Sequence, residues 1–180
     1  DSLVDVDPGQ PGIQGITLEG LNPTALHWAP DLGRLLVSQA GAFGVADGGV
    51  EAVDPFRLLS EGLLISEADL GGGDVGDLVS VAGQKVYVVA GGFDANVIRV
   101  FDALRDPASG ELTAANPRSL GFSLPFVPGL AVDSGGRLLV PDRTLTAPGI
   151  RMIDTATDEE LTSTPLDVGL PPGAPLVLYP

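Results

Sequence analysis

In the stretch "GIRMIDTATDEEL", residues 149–161, a run with alternating apolar residues ends at an aspartate. Small and polar residues follow this aspartate. The same arrangement occurs in "LVDVDPGQ" at 3–10, "VEAVDPFRLL" at 50–59 and "IRVFDALRDP" at 98–107. The aspartates are Asp7, Asp54, Asp102 and Asp154, which are 47, 48 and 52 residues apart. Recurrence at this interval indicates a repeat protein built from small, similar units.

Two further markers recur at similar intervals of about 50 residues. The first is "GRLLV" at 33–37, which corresponds to "QKVYV" at 84–88 and to "GRLLV" at 136–140. The second is an apolar run in which four leucines correspond: Leu26, Leu78, Leu130 and Leu176. Together the markers order each unit as four short strands, A to D. The "GRLLV" run is strand B, and the aspartate ends strand C.

Turn residues between the strands predict how each unit folds. The segments "PDLG" at 30–33 and "DSGG" at 133–136 supply the Asp and Gly that a tight A-to-B reversal requires. Four antiparallel strands in about 50 residues form the blade of a β-propeller. The sequence therefore predicts an all-β fold, a β-propeller of four-stranded antiparallel blades that bury each other's apolar faces.

The repeat also predicts the blade boundaries. Residues 1–22 supply strands C and D of a split blade, and residues 173–180 supply its strand A. Complete blades are expected at 23–73, 74–124 and 125–172. This makes about four blade equivalents with an incomplete closing blade, either in a ring of its own or as a segment of a larger propeller. The unpaired edge of the split blade favours self-association or completion by further blades.

The repeated aspartates, and the segment that follows one of them, each lead to a structural prediction. The aspartate that ends strand C is interpreted as a turn residue, because Asx side chains accept hydrogen bonds from backbone amides two residues on. The polar, turn-rich stretch between Asp102 and Ser119 is expected to be a mobile insertion on the outer rim.

Composition excludes several classes of function. With Asp+Glu 24 against Lys+Arg 9, the net charge of −15 would repel phosphate backbones, so nucleic-acid binding is not expected. The sequence contains no apolar stretch long enough to span a bilayer, so membrane insertion is not expected. The absence of cysteine excludes disulfides and thiolate chemistry.

The segment from Ile153 to Thr157, together with Val168, Gly169 and Pro172, resembles the bacterial YVTN-type, surface-layer-like β-propeller repeat. The other repeats keep little more than the apolar alternation and the aspartate. The resemblance implies an exported protein, periplasmic or at the cell surface, that acts as a binding or surface scaffold. The family shares no catalytic set, so the resemblance implies fold and location more than activity.

Candidate binding residues lie in the loops between strands B and C, which gather on one face of a propeller. These loops are "QAGAFGVADGG" at 39–49, "AGGFDAN" at 90–96 and "PDRTLTAP" at 141–148. Exposed glycine-rich loops do not need aromatic rings to fold, so such rings surrounded by acids favour a protein or carbohydrate partner. The candidates are Phe43, Asp47, Phe93, Asp94, Asp142 and Arg143.

Two alternatives to a non-enzymatic binding scaffold are open. One is a metal-dependent lactonase or hydrolase of the gluconolactonase type, whose axial divalent cation would need these donors: Asp74, Asp77, Asp94, Asn96 and Asp142. The other is an architectural segment of a larger propeller. No cofactor is expected, although Asp74 and Asp77 leave calcium open. His27, beside Trp28 in strand A, is expected to have a packing role.

Overall fold

The computed structural model describes residues 2–6, 13–82, 84–92 and 94–175. The strands in this part of the chain are β1 (Ser2–Val6), β2 (Ile13–Thr17), β3 (Pro23–Ala29), β4 (Arg34–Gln39), β5 (Gly49–Asp54), β6 (Leu59–Ser66), β7 (Asp74–Val81), β8 (Lys85–Gly91), β9 (Asn96–Arg105), β10 (Leu112–Leu124), β11 (Ala131–Val132), β12 (Arg137–Asp142) and β13 (Gly149–Asp154). Within these same residues there is no helix of the length and apolarity needed to cross a bilayer.

The strands pair with their chain neighbours into small antiparallel sheets. An N-terminal hairpin consists of β1 and β2. The first sheet contains β3 to β6, the second contains β7 to β10, and the third contains β11 to β13. Consecutive antiparallel pairing of four short strands is the construction of a propeller blade. The predicted all-β, propeller-type fold is confirmed.

Successive residues of a strand point to opposite faces of its sheet. A strand that is apolar at both sets of positions can therefore pack on a neighbouring sheet at each face, and the sheets stack face to face. In β8, Val86 and Val88 belong to the apolar cluster shared with the first sheet, whereas Tyr87 and Val89 belong to the cluster shared with the third. Phe101 of β9 is fully buried against the first sheet. The alternation in the sequence therefore becomes two separate cores, one on each side of the second sheet.

The turn role of the aspartates holds at two of the described positions. Asp54 Oδ1 accepts hydrogen bonds from the amides of Phe56 and Arg57, at 2.9 and 3.0 Å. Asp154 Oδ1 likewise accepts from Ala156 N at 2.8 Å. Both carboxylates satisfy amides that the turn would otherwise leave without a partner. Asp7 lies outside the described residues.

The expectation for Asp102 was wrong. Strand β9 continues past it to Arg105, and the turn carboxylate is Asp106, whose Oδ1 accepts from the amides of Ala108 and Ser109 at 2.7 and 2.8 Å. The stretch from 102 to 119 is therefore not an irregular insertion, since β9 and β10 extend together as a hairpin. Asp102 instead accepts from Asn116 Nδ2 at 2.8 Å beside a register shift in β10.

Among the residues that the structure describes, the third sheet has no continuous fourth strand of the kind that the repeat predicted. Its place is taken by two isolated bridges, Ile150 to Leu166 and Ile153 to Glu160. Pro165 stands next to the bridging Leu166, and a proline has no amide hydrogen to donate to a strand ladder. The predicted closing strand A includes residues 176–180, which lie outside the described part of the chain.

Candidate functional site

The loops between strands B and C lie at one edge of the stack, where β4, β8 and β12 end and β5, β9 and β13 begin. The edge is shaped most by the first of these loops, which holds Phe43. Its backbone is constrained by Gly41, which adopts a φ of +59°, and by Asp47, whose Oδ1 accepts from Ala42 N at 2.8 Å. These constraints hold Phe43 outward, with 63% of its surface exposed.

A carboxylate of the second sheet anchors this loop. Gly44 N donates to Asp74 Oδ1 at 3.0 Å, across the boundary between the first and second sheets. Beneath the loop, the fully buried Glu67 accepts from Gly48 N at 3.0 Å and from Val75 N at 2.8 Å. Burial raises the pKa of Glu67, the two amide donors oppose this shift, and the nearby charge of Asp74 adds to it. Hydrogen bonds to Asp74 and Glu67 therefore fix the loop in position on the second sheet.

Phe43 overhangs an open cleft of 330 Å³ between the first and second sheets. The residues lining the cleft are Thr24, Ala40, Phe43, Asp74, Val75, Gly76, Gly91, Gly92, Asn96, Pro125 and Phe126. A neighbouring hollow of 260 Å³ shares Phe43, Asp74, Gly91 and Gly92 with it. The two hollows form one continuous surface beside the Phe43 ring, which we call the loop-face cleft.

A second exposed ring at this cleft was missed at the sequence level. Phe126 is 51% exposed, and the Arg143 guanidinium carbon lies 5.6 Å from the centre of its ring, a distance typical of a cation–π contact. Asn96 Oδ1 holds the connection by accepting from Val127 N at 2.8 Å. The available signal was "LPFVP" at 124–128, in which a phenylalanine stands between prolines in a connecting segment.

The predicted loop residues have different surroundings. Phe43 lies at the loop-face cleft, and Arg143 reaches it through Phe126. Asp94 is exposed and lies two residues from both Gly92 and Asn96, which line the cleft, and Phe93 lies outside the described residues. Asp142 is fully buried, and its Oδ2 accepts from Arg151 Nε at 2.8 Å while its Oδ1 accepts from Thr144 N at 2.9 Å.

The donors named for an axial cation also have protein partners. Asp74 accepts from Gly44 N, Asp77 Oδ2 accepts from Leu130 N at 2.7 Å, and Asn96 accepts from Val127 N. Across the described ranges, no group of three or more His, Cys, Asp or Glu side chains is placed to hold a metal ion. These donors support the connections between sheets.

His27 lies in a different cleft, at the inner edges of the sheets. Its Nε2 is 2.9 Å from Ser80 Oγ, which links β3 to β7, and the ring is half-buried. Burial lowers the pKa of His27, and the Asp77 charge partly opposes that shift. The surrounding cleft of 700 Å³ is also lined by Trp28 and Leu130.

Comparisons with known proteins add a likeness of fold. No protein-family model matches the chain, and no curated protein matches it. Among solved structures, the chain is similar to a serine-to-alanine mutant of puromycin hydrolase complexed with PGG, with a TM-score of 0.57 and 14% identity. The match covers 85% of this chain and 25% of that chain, so this chain spans a quarter of the neighbour's length. At this identity, the likeness shows that the described sheets have the fold of a β-propeller segment.

Proposed function

We propose that this chain is a non-enzymatic binding segment of an exported β-propeller of the bacterial surface-layer-like type, and that it recognises a protein partner at the loop-face cleft. The observation that carries the proposal is the pairing of two exposed phenylalanines, Phe43 and Phe126, over one cleft with a constrained backbone. Aromatic and arginine side chains around a preformed hollow are the common anchors of protein interfaces.

The polar groups of the cleft favour a protein over a carbohydrate. Asp74 accepts from Gly44 N and Asn96 accepts from Val127 N, so part of the hydrogen-bonding capacity that a ligand rich in hydroxyls would use is already taken. The two rings instead offer apolar area, and Arg143 beside Phe126 offers a positive charge at the rim. An extended peptide segment with an apolar anchor and an acidic neighbour matches this arrangement.

A displayed peptide library selected on the immobilised chain tests the proposal. We expect enriched peptides to carry apolar anchors, and we expect Phe43→Ala and Phe126→Ala each to weaken binding by about tenfold or more. Phe56→Ala is the matched control, because Phe56 is 82% exposed but lies after β5, at the opposite edge of the first sheet.

Other results contradict the proposal. Equal binding by the Phe43→Ala and Phe56→Ala variants would place the partner elsewhere. Binding to a glycan array that depends on Phe43 would show that the cleft recognises a carbohydrate instead of a protein. Hydrolysis of a lactone that is abolished by EDTA and restored by calcium would favour the metal-dependent enzyme.

A further inference from the structure

A second cleft lies between the first and second sheets, at the edge opposite the loop-face cleft. It has a volume of 660 Å³ and is enclosed by two C-to-D turns, one after β5 in the first sheet and one after β9 in the second. The partly buried side chains of Leu64 and Leu112 line it and pack on the core that the two sheets share. We call it the turn-edge cleft. Both of its walls belong to described residues of neighbouring sheets, so its lining does not depend on further blades.

The turn-edge cleft concentrates basic residues in an acidic chain. Three of the nine Lys and Arg residues line it: Arg34, Arg57 and Arg105. The carboxylates that line it are Asp54, Glu61 and Glu111. The charged side chains of the lining therefore balance, while the rest of the chain carries the whole net charge of −15. An anion that approaches this chain is repelled less at this cleft than at the acidic surface around it.

Arg34 is already neutralised by acids of its own sheet. It is buried, its Nε donates to Glu61 Oε2 at 2.8 Å, and its Nη2 donates to Glu61 Oε1 at 2.7 Å. Asp54 Oδ2 lies 3.5 Å from the same Nη2. A two-pronged pair of this kind satisfies the planar face of a guanidinium group. Arg34 therefore forms a wall of the cleft and is not the group with which a ligand would pair.

Arg57 and Arg105 have no such carboxylate partner. Among the described residues neither forms an ion pair, although Asp54 lies close enough to Arg57 for their charges to interact. Arg105 Nη1 donates to Leu32 O at 2.9 Å, which fixes its guanidinium group across the boundary between the two sheets. The other N–H donors of a guanidinium group form a planar fork that matches a carboxylate. Both arginine side chains are exposed, so a dissolved ligand can reach these donors.

A comparison of the C-to-D turns shows which group this cleft does not contain. In the second and third sheets, the turn carboxylates Asp106 and Asp154 are each followed four residues later by an amide that donates to the aspartate carbonyl at 2.8 Å. The residues that supply these amides are Gly110 and Asp158, and both have a left-handed φ, of +76° and +61°. Gly110 and Asp158 therefore occupy the same position in two equivalent turns.

At the boundary between the second and third sheets, this position supplies a carboxylate. Asp158 accepts from Lys85 Nζ at 2.9 Å and from Arg118 Nη2 at 2.6 Å, both in the second sheet. At the turn-edge cleft, Gly110 has no side chain, and a Cβ built on it would lie 3.5 Å from Arg105 Nη2. The place that a carboxylate of the protein takes at one boundary is thus open at the other, beside a guanidinium group with unused donors.

We propose that the turn-edge cleft binds a small organic acid, whose carboxylate takes the place beside Gly110. The carboxylate pairs with Arg105, and Arg57 adds a second positive charge at the rim. The aliphatic part of the acid rests against Leu64 and Leu112, and the cleft volume of 660 Å³ suits a small ligand. This site lies at the opposite edge from the loop-face cleft, so it does not rest on the proposed function.

Titration with glutarate, followed by heteronuclear NMR, tests the proposal. We expect the Arg105 Nε–H resonance and the amides of residues 109–112 to shift, with a dissociation constant on the order of 1 mM at low salt. Binding should weaken as salt is raised, because the arginines are exposed. Glutaramide is the matched neutral ligand, and inorganic phosphate is the second anion. We expect glutaramide to cause no such shifts and phosphate to bind more weakly than glutarate.

Gly110→Asp is the decisive variant, because it builds the carboxylate of Asp158 into the equivalent turn. It should weaken glutarate binding by about tenfold or more. Gly169→Asp is the matched control, since Gly169 also has a left-handed φ, of +83°, and a Cβ added there meets nothing within 4 Å. Arg105→Gln should also weaken binding, whereas Glu111→Gln should strengthen it by removing a like charge from the cleft. Circular dichroism of each variant confirms that the sheets are still formed.

Four results would overturn the proposal. Equal affinity of the Gly110→Asp and Gly169→Asp variants for glutarate would place the ligand elsewhere. Equal shifts with glutaramide would show that the cleft does not recognise a carboxylate. Tighter binding of phosphate than of glutarate would assign the cleft to a different anion. Shifts of equal size at Arg143, at the opposite edge, would indicate unspecific attraction of anions to exposed arginines.

Discussion

Asp158 is the residue that links the second and third sheets electrostatically. Its Oδ1 accepts from Tyr87 Oη at 2.5 Å and from Lys85 Nζ at 2.9 Å, and its Oδ2 accepts from Arg118 Nη2 at 2.6 Å. Burial alone would raise the pKa of Asp158, but the hydrogen bonds from these three side chains lower it below its ordinary value of 3.8. Burial raises the pKa of Tyr87, and the hydrogen bond to Asp158 and the charge of that carboxylate add to the shift. One carboxylate thus satisfies three groups from the neighbouring sheet.

Replacing Asp158 by asparagine should destabilise the fold in a pH-dependent way. At pH 7 we expect a loss of about 2 kcal/mol in the free energy of unfolding, because a partly buried carboxylate with two charged partners is removed. The folded pKa is lowered, so this stabilisation is present above pH 3.8 and is lost as the pH falls through the folded pKa. Urea unfolding at pH 7 and pH 3 measures the difference, which should shrink at pH 3.

Asp133→Asn is the control for that measurement. Asp133 pairs with Arg137 inside its own turn, where the arginine side chain is 48% exposed. Exposed pairs contribute little, so the loss should be smaller than for Asp158→Asn. An equal loss for the two variants would contradict the linking role of Asp158.

At the scale of the elements, the A-to-B turns show how the repeat tolerates sequence change. The residue before strand B has a left-handed φ in all three sheets: +62° at Gly33, +71° at Gln84 and +73° at Gly136. Glycine adopts this conformation without steric cost, whereas a residue with a Cβ is strained by about 1 kcal/mol. The second sheet therefore contains a strained glutamine where the first and third contain glycine.

Paired substitutions at this turn should shift stability in opposite directions. Gln84→Gly should stabilise the chain by about 0.5 to 1 kcal/mol, and Gly136→Ala should destabilise it by about 1 kcal/mol. Thermal or urea unfolding measures both changes. Gly92→Ala serves as the control, since an added Cβ there meets nothing within 4 Å. Changes of the same sign for Gln84→Gly and Gly136→Ala would show that left-handed strain does not govern the turn.

At the scale of the whole molecule, stability depends on how many faces of a sheet are covered. In the described part of the chain, the second sheet packs on the first through one apolar cluster and on the third through another. The third sheet contributes buried residues on the face that packs on the second sheet, and its fourth strand is reduced to two bridges. Cooperative opening should therefore begin at the third sheet.

Native-state hydrogen exchange can test this order of stability. We expect the amides of β8 and β9 to exchange most slowly, by global unfolding, because their side chains are buried on both faces. Amides of β12 and β13 should exchange through smaller openings. Faster exchange in β8 than in β12 would contradict the stacking argument.

The sequence alone determined the all-β fold, the repeat spacing and the A-to-B turns. These features depend on side-chain alternation and on backbone conformations that one or two residues control, as at Gly33 and Gly136. The sequence also predicted that Phe43 lies on the loop face, because loops between strands B and C share one edge of a propeller.

The tertiary structure alone decided which candidate residues meet. Phe126 and Phe43 line the same cleft from segments that are distant in sequence, and the buried Asp142 accepts a hydrogen bond from Arg151. Strand β9 continues past Asp102 because β10 pairs with it. Each outcome depends on packing and hydrogen bonding between segments that are distant in sequence. A local sequence pattern does not indicate which distant segment will pack against it.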